Sequence, residues 1–234
     1  MVRVKVQQRG GSEVTYDAEH WEALHALHHQ ASQVTHVFHE QGFETLTYGS
    51  VARGDIHPGS DIDIVIKPLL SSYRLELLLE DAGLRVLEKK IIQATPNDVI
   101  KANYILEEDI CITLLLTPFT SMPFDFYHFG GALTHLESVE GIRKPGVDKR
   151  LMLIIPTPEG HTEKPLEDVQ YEAPKMLGIS QSMVTQRIRV LTRRDKVGRT
   201  GVFLNHPVAL SENIEETLRN LARKNRLLRR RLQR

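Results

Sequence analysis

The chain has 234 residues, 41% hydrophobic and 26% charged, with 30 basic residues matched by 30 acidic ones. That composition excludes a disordered or collagen-like chain, and the length allows one large domain or two modest ones. The charge is divided unevenly: residues 1–165 carry 15 basic against 23 acidic residues, net −8, and residues 166–234 carry 15 against 7, net +8, which suits a basic C-terminal third facing an anionic partner.

In chain order, "VRVKVQQRGGSEVTYD" alternates on both sides of a Gly-Gly and predicts an N-terminal β-hairpin. A helix follows from about Asp17 to Gln41, with Trp21, Leu24, Leu27, Ala31, Val34 and Phe38 as its buried stripe and Gly42 as its stop. It also carries His25, His28, His29, His36 and His39. On a helical wheel His25, His29 and His36 fall opposite the apolar stripe, where no carboxylate or cysteine completes a metal set, so they read as solvated surface. Strands over "TLTY" and "DIDIVIK", a helix over "SYRLELLLEDAG" and strands over "LRVLEKKII", "KANYILEE" and "DICITLLLT" come next. A helix around "FYHFGGALTHLESVE" and a strand "RLMLIIPT" then lead to "PTPEGHTEKP", whose prolines and glycine mark a boundary near residues 156–165. Strands mixed with helices in this way predict an α+β fold. The single cysteine, Cys111, excludes an intramolecular disulfide and fits a reducing cytosol. With neither a signal-peptide core in "MVRVKVQQRG" nor an apolar run long enough for a bilayer, a soluble cytoplasmic protein with no membrane partner is expected.

The stretch most tied to chemistry is "TYGSVARGDIHPGSDIDIVI", residues 47–66. On a strand, Asp61 and Asp63 share one face while Ile62 and Ile64 share the other. Two carboxylates held side by side repel unless a cation lies between them. Gly49 permits close backbone approach to a phosphate, Ser50 offers a hydroxyl, and Arg53 either contacts a phosphate in bidentate fashion or holds the loop.

"GSVARGDIHPGSDIDIVI" resembles the signature of the polymerase-β-type nucleotidyltransferase superfamily: Gly-Ser, often Ala-Arg-Gly, then Ser-Asp-x-Asp on a strand. The resemblance is close over about twenty residues and looser from residue 17 to about 117. It implies a polymerase-β-like sheet domain, a nucleoside triphosphate held by Gly49, Ser50, Arg53 and Ser60, and Mg²⁺ or Mn²⁺ held by the catalytic Asp61 and Asp63. Members usually add a third acid between two apolar residues of a neighbouring strand. In "EEDICITLLLTP" that place is held by Thr113; Asp109 lies four residues earlier and substitutes only if the strand register allows it, and Glu108 points the other way. The whole layout, with "FYHFGG" and "KPGVDKRLMLI", also looks like a group of archaeal predicted nucleotidyltransferases.

The basic third, "YEAPKMLGISQSMVTQRIRVLTRRDKVGRTGVFLN", has the layout of a winged helix-turn-helix. Pro174 opens a short helix that Gly178 ends, and Ser180 caps a second helix with Val184, Ile188 and Leu191 inward. Gln181, Ser182, Thr185, Gln186 and Arg189 are left toward solvent for nucleic acid, and "KVGRTGVFL" reads as a wing placing Lys196 and Arg199 on phosphates. The tail "SENIEETLRNLARKNRLLRRRLQR" reads as one Ser-capped basic helix. The expected division is thus a nucleotidyltransferase domain over residues 1–155 and a winged helix-turn-helix with a basic helix over 166–234. Two functions are open: transfer of a nucleoside monophosphate to an acceptor hydroxyl, the acceptor being nucleic acid, or a nucleotide-sensing regulator of transcription with a degenerate catalytic domain.

Overall fold

A computed structural model describes residues 11–119, 124–198 and 201–233. Among these the elements run β1 (Ser12–Thr15), α1 (Ala18–His39), β2 (Thr45–Tyr48), α2 (Ser50–Arg53), β3 (Ile62–Ile66), α3 (Ser72–Asp81), β4 (Val86–Gln93), β5 (Lys101–Leu106) and β6 (Ile110–Leu115). They continue with α4 (Asp125–Phe129), β7 (Ala132–Leu133), α5 (His135–Val139), β8 (Gly146–Val147), β9 (Met152–Thr157), β10 (Gly160–Pro165), α6 (Ala173–Leu177), α7 (Gln181–Val197), β11 (Leu204–Val208), α8 (Ile214–Lys224) and α9 (Arg226–Leu232). The fold is α+β, as expected. Of the described residues, those within Met1–Gln33, Leu46–Ile62 and Met122–Thr200 form one compact unit, and those within Val34–Thr45, Asp63–Ser121 and Gly201–Arg234 form another.

In the first unit an antiparallel sheet runs β1-β10-β9-β8. The first arm of the expected N-terminal hairpin lies outside the described residues, and β1 pairs with β10, Val14 opposite His161. "PTPEGHTEKP" is not a boundary but the β9–β10 hairpin, with Thr157 opposite Gly160. A Cβ on Gly160 would lie 1.9 Å from the Val14 carbonyl oxygen, so only glycine lets β1 approach there. The single helix expected over "FYHFGGALTHLESVE" is broken in two. Gly131 takes φ +80°, a left-handed conformation that ends helical continuity; β7 then pairs with β2, and a capping box of Thr134 and Glu137 starts α5.

The helix–glycine–helix pair forms where expected: α6 ends at left-handed Gly178, and the Ser180 hydroxyl accepts from the Met183 amide to cap α7. Leu177, Met183 and Val184 share a core with Val147 of β8 and Leu153 of β9. Residues 173–197 therefore belong with the first unit and residues 201–233 with the second, so the compact units do not part at 155–166. The wing is corrected too. Lys196 and Val197 end α7, Arg199 lies outside the described residues, and Leu204 opens β11, which pairs antiparallel with β4.

In the second unit the strands run β11-β4-β5-β6-β3. Helix α3 is capped by Ser71 and followed by left-handed Gly83. Buried Lys89 donates to Glu76 and to the carbonyls of Leu210 and Glu212. The tail is two helices rather than one: Asn213 caps α8, and Asn225 ends it and caps α9. Its apolar stripe is buried at Ile214, Leu218 and Leu228. Arg231, 3% exposed, donates to the carbonyls of Asp98 and Pro118, so part of the basic tail serves the protein's own backbone.

Helix α1 buries Leu24, Ala31, Val34 and Phe38 of the expected stripe, leaves Trp21 and Leu27 half-buried, and exposes His25, His29 and His36 as its periodicity predicts, with His39 exposed as well. His20 is half-buried with Nε2 2.8 Å from the Gly54 carbonyl oxygen, and His28 goes further. It is buried with Nε2 2.9 Å from the Val51 carbonyl oxygen, and burial holds its pKa below the usual value. Among the described residues no helix is long and apolar enough to cross a membrane.

Candidate functional site

Strand β2 delivers the chain to Gly49, whose φ +94° and ψ −146° are close to glycine-only backbone. Its amide donates to the Gly131 carbonyl at 3.0 Å, and a Cβ built on it would meet nothing within 4 Å. The space in front of Gly49 is thus open, and the backbone, not crowding, demands glycine. Gly49→Ala is expected to cost about 1–3 kcal/mol of stability through strain alone, measurable by denaturant unfolding. Ser50 begins the single turn of α2, with its Oγ 3.5 Å from Ser60 Oγ.

The Arg53 guanidinium makes two hydrogen bonds and an ion pair. Nη1 donates to the Gly130 carbonyl at 2.6 Å, Nη2 to Asp55 at 3.0 Å, and Nε lies 2.9 Å from the second Asp55 oxygen. Of the two roles open to it, holding the loop is the one its contacts fill. Gly131 permits this, because a Cβ there would lie 2.6 Å from Arg53 Cγ. Burial raises the Asp55 carboxyl above the usual range, and the Arg53 charge works against that rise.

"HPGS" makes the next turn. Gly59 at φ +81° follows Pro58, the Ser60 amide donates to the His57 carbonyl at 2.9 Å, and the Ser60 Oγ accepts from the His57 amide. This turn fixes Ser60 immediately before the two acids. Asp61 is exposed at the mouth of β3, and Asp63, two residues along, is half-buried. Ile62 and Ile64 are fully buried, so the predicted alternation holds over residues 61–64, and beyond it Val65 and Ile66 are both buried as the strand enters the core.

In the second unit, β5 and β6 pair with Asn103 opposite Thr113 and Lys101 opposite Leu115. Thr113 is 3% exposed and its Oγ1 lies 3.4 Å from Asn103 Oδ1, so an uncharged pair occupies the place where the resemblance implies an acid. Asp109 does not replace it. It sits in the β5–β6 turn at φ +55°, exposed and off the strand, as does Glu108 at φ +57°. Four strand residues would separate it from Thr113 by about 13 Å. Among the described residues no cluster of three or more His, Cys, Asp or Glu side chains forms a metal-ligand set.

Lys101 is a residue that sequence reasoning missed. Burial lowers its pKa to about 8, against the pull of Asp98 and then Asp63. "KANYILEE" showed only a strand; the charge relation to Asp63 depends on tertiary pairing that no local pattern carries. Because the folded pKa lies below the ordinary 10.5, the burial penalty is fully present below about 8 and fades as pH rises toward 10.5. Lys101→Met is therefore expected to raise the melting temperature at pH 7, with the gain shrinking as the pH climbs through that window.

On α7, Gln181, Ser182, Thr185, Gln186, Arg189 and Lys196 are all exposed. Gln181 donates to the Gln170 carbonyl and Thr185 to the Gln181 carbonyl, whereas Ser180 donates through both amide and hydroxyl to Asp125 of α4.

Near-glycine-only backbone at Gly49 thus joins β2 to α2, and Asp61 and Asp63 follow two residues apart at the start of β3. Residues 38–114, from the end of α1 through most of β6, match the family model described as a nucleotidyltransferase domain. The match spans about a third of the chain, so that stretch is similar to a nucleotidyltransferase domain, consistent with the polymerase-β-type resemblance. No curated protein and no solved structure matches the chain.

Proposed function

We propose that the protein transfers a nucleoside monophosphate from a nucleoside triphosphate to an acceptor hydroxyl and releases pyrophosphate. What supports this reading is the near-glycine-only backbone at Gly49 with open space before it, together with the order Asp61–Ile62–Asp63 that follows in the chain with Ile62 buried between the acids. A divalent Mg²⁺ or Mn²⁺ ion suits that pair, since both side chains offer hard oxygens and their mutual repulsion is relieved by a cation. Such an ion would neutralise phosphate charge as the leaving group departs. Asp61 and Asp63 would hold it. Ser50 and Ser60 would orient phosphate oxygens by their hydroxyls, and Arg53 with Asp55 keeps the loop in shape. The basic face of α7 would contact a nucleic-acid acceptor.

The Thr113–Asn103 pair favours a second reading, a nucleotide sensor that binds without turnover, because no carboxylate there can accept the acceptor's proton. Incubating the protein with each α-labelled triphosphate, Mg²⁺ or Mn²⁺, and cellular RNA, DNA and protein separates the two. Label transfer that EDTA abolishes supports the enzyme; triphosphate binding with no labelled acceptor supports the sensor.

A further inference from the structure

Helix α7 carries an arginine that its exposed face does not account for. The Arg187 guanidinium lies 5.0 Å from the ring centroid of Phe126 and 5.7 Å from that of Phe129, both on α4. Its Nε is buried with no hydrogen-bond partner among the described residues. Burial and the positive charge of Arg194 lower its pKa to about 10, and no carboxylate opposes them. A desolvated guanidinium without an acid is costly, and here the rings of Phe126 and Phe129 supply π-faces that offset part of that cost and fix its orientation. Phe129 is 3% exposed and belongs to the core, but the Phe126 ring remains 40% exposed. Arg187 and Arg194 stand seven residues apart, two turns along one face of α7.

Insertion of α7 into a duplex groove fits these contacts less well. The N-terminal end of α7 is tied to Asp125 through the Ser180 amide at 3.0 Å and hydroxyl at 2.8 Å, which places a carboxylate where base edges would have to come. Leu204, the last residue of the expected wing, is a strand residue paired with β4. An exposed aromatic ring beside a preoriented arginine instead matches the way unpaired bases are held, by stacking on rings and guanidinium planes with phosphates on neighbouring cations.

We propose that Phe126, Arg187 and Arg194 form a binding site for single-stranded nucleic acid, a base stacking at Phe126 and Arg187 and the backbone phosphates pairing with Arg187 and Arg194. This deepens the acceptor part of the nucleotidyl-transfer reading but not its chemistry, so it is tested in EDTA without triphosphate, where failure of transfer has no bearing. Fluorescence anisotropy of the full chain is measured with labelled oligo(U), labelled oligo(dT) and a labelled duplex. A single strand should bind at least about tenfold more tightly than the duplex, the better of the two telling RNA from DNA. Phe126→Ala and Arg187→Met should each weaken single-strand binding about tenfold or more. Arg194→Gln should lower the salt slope by about 0.7. Arg187→Lys, which keeps charge and loses the planar stack, should fall between wild type and Arg187→Met. Circular dichroism confirms folding, and Phe126→Ala, altering an exposed ring, serves where Arg187→Met unfolds. The proposal is overturned if folded Phe126→Ala and Arg187→Met bind as wild type. Duplex preference lost in Gln186→Ala or Arg189→Ala, or equal binding of a polyglutamate peptide, overturns it as well.

Discussion

Asp63→Asn is expected to cut nucleotidyl transfer by at least about a hundredfold, roughly 2.7 kcal/mol of barrier, while leaving the protein folded. The side chain keeps its shape and its half-buried place on β3, but it no longer offers a charged oxygen beside Asp61. Removing one of two neighbouring carboxylates relieves their repulsion but also withdraws the charge that favours the buried Lys101 ammonium, so unfolding in denaturant should show at most a small loss of stability. Asp61→Asn should behave in the same way. A variant that loses activity with little loss of stability separates a functional acid from a solvated strand end. Label transfer at wild-type rate in both variants would remove the aspartates from the chemistry.

Arg53→Met is expected to be the most destabilising single change near the site, by about 3–5 kcal/mol. The Arg53 and Asp55 side chains are only 8% and 13% exposed, so deletion of the guanidinium strands a buried carboxylate and empties the space it fills against Gly131. The sign with pH follows from Asp55. Burial already raises its pKa, so the neutral carboxyl is the form the fold tolerates best, and its contribution to stability is lost as pH rises through the folded value. Without Arg53 that dependence should steepen. The gap between variant and wild type should therefore be widest at neutral pH and narrow on acidification, read from denaturant midpoints across the range. Arg53→Lys should recover only part of the loss, since one ammonium cannot serve Gly130 and both Asp55 oxygens at once.

The sequence made plain what depends on local period and backbone chemistry. The stripe of α1, the alternation Asp61–Ile62–Asp63–Ile64, the cap at Ser180 and the stops at Gly42, Gly83 and Gly178 are each set within a few residues. What stayed hidden depends on partners far along the chain. "PTPEGHTEKP" has the composition of a linker, yet β1 lies against it and turns it into the middle of a sheet. Leu204 looks like the end of a wing until β4 pairs with the strand it opens. Arg53 offered two roles that only the positions of Asp55 and Gly130 decide, and Lys101 drew no notice because Asp63 is remote in sequence. Asp109 kept a place among the candidate acids until its left-handed backbone put it in a turn.

The central claim is that Asp61 and Asp63 together hold a divalent ion with the triphosphate beside Gly49. It is tested most directly by titrating Mn²⁺ into the protein with a non-hydrolysable triphosphate and following free Mn²⁺ by electron paramagnetic resonance. Wild type should bind Mn²⁺ more tightly with the nucleotide than without it, and the doubly substituted Asp61→Asn, Asp63→Asn chain should bind no more than the nucleotide alone does. Equal Mn²⁺ uptake by the two chains would contradict the account.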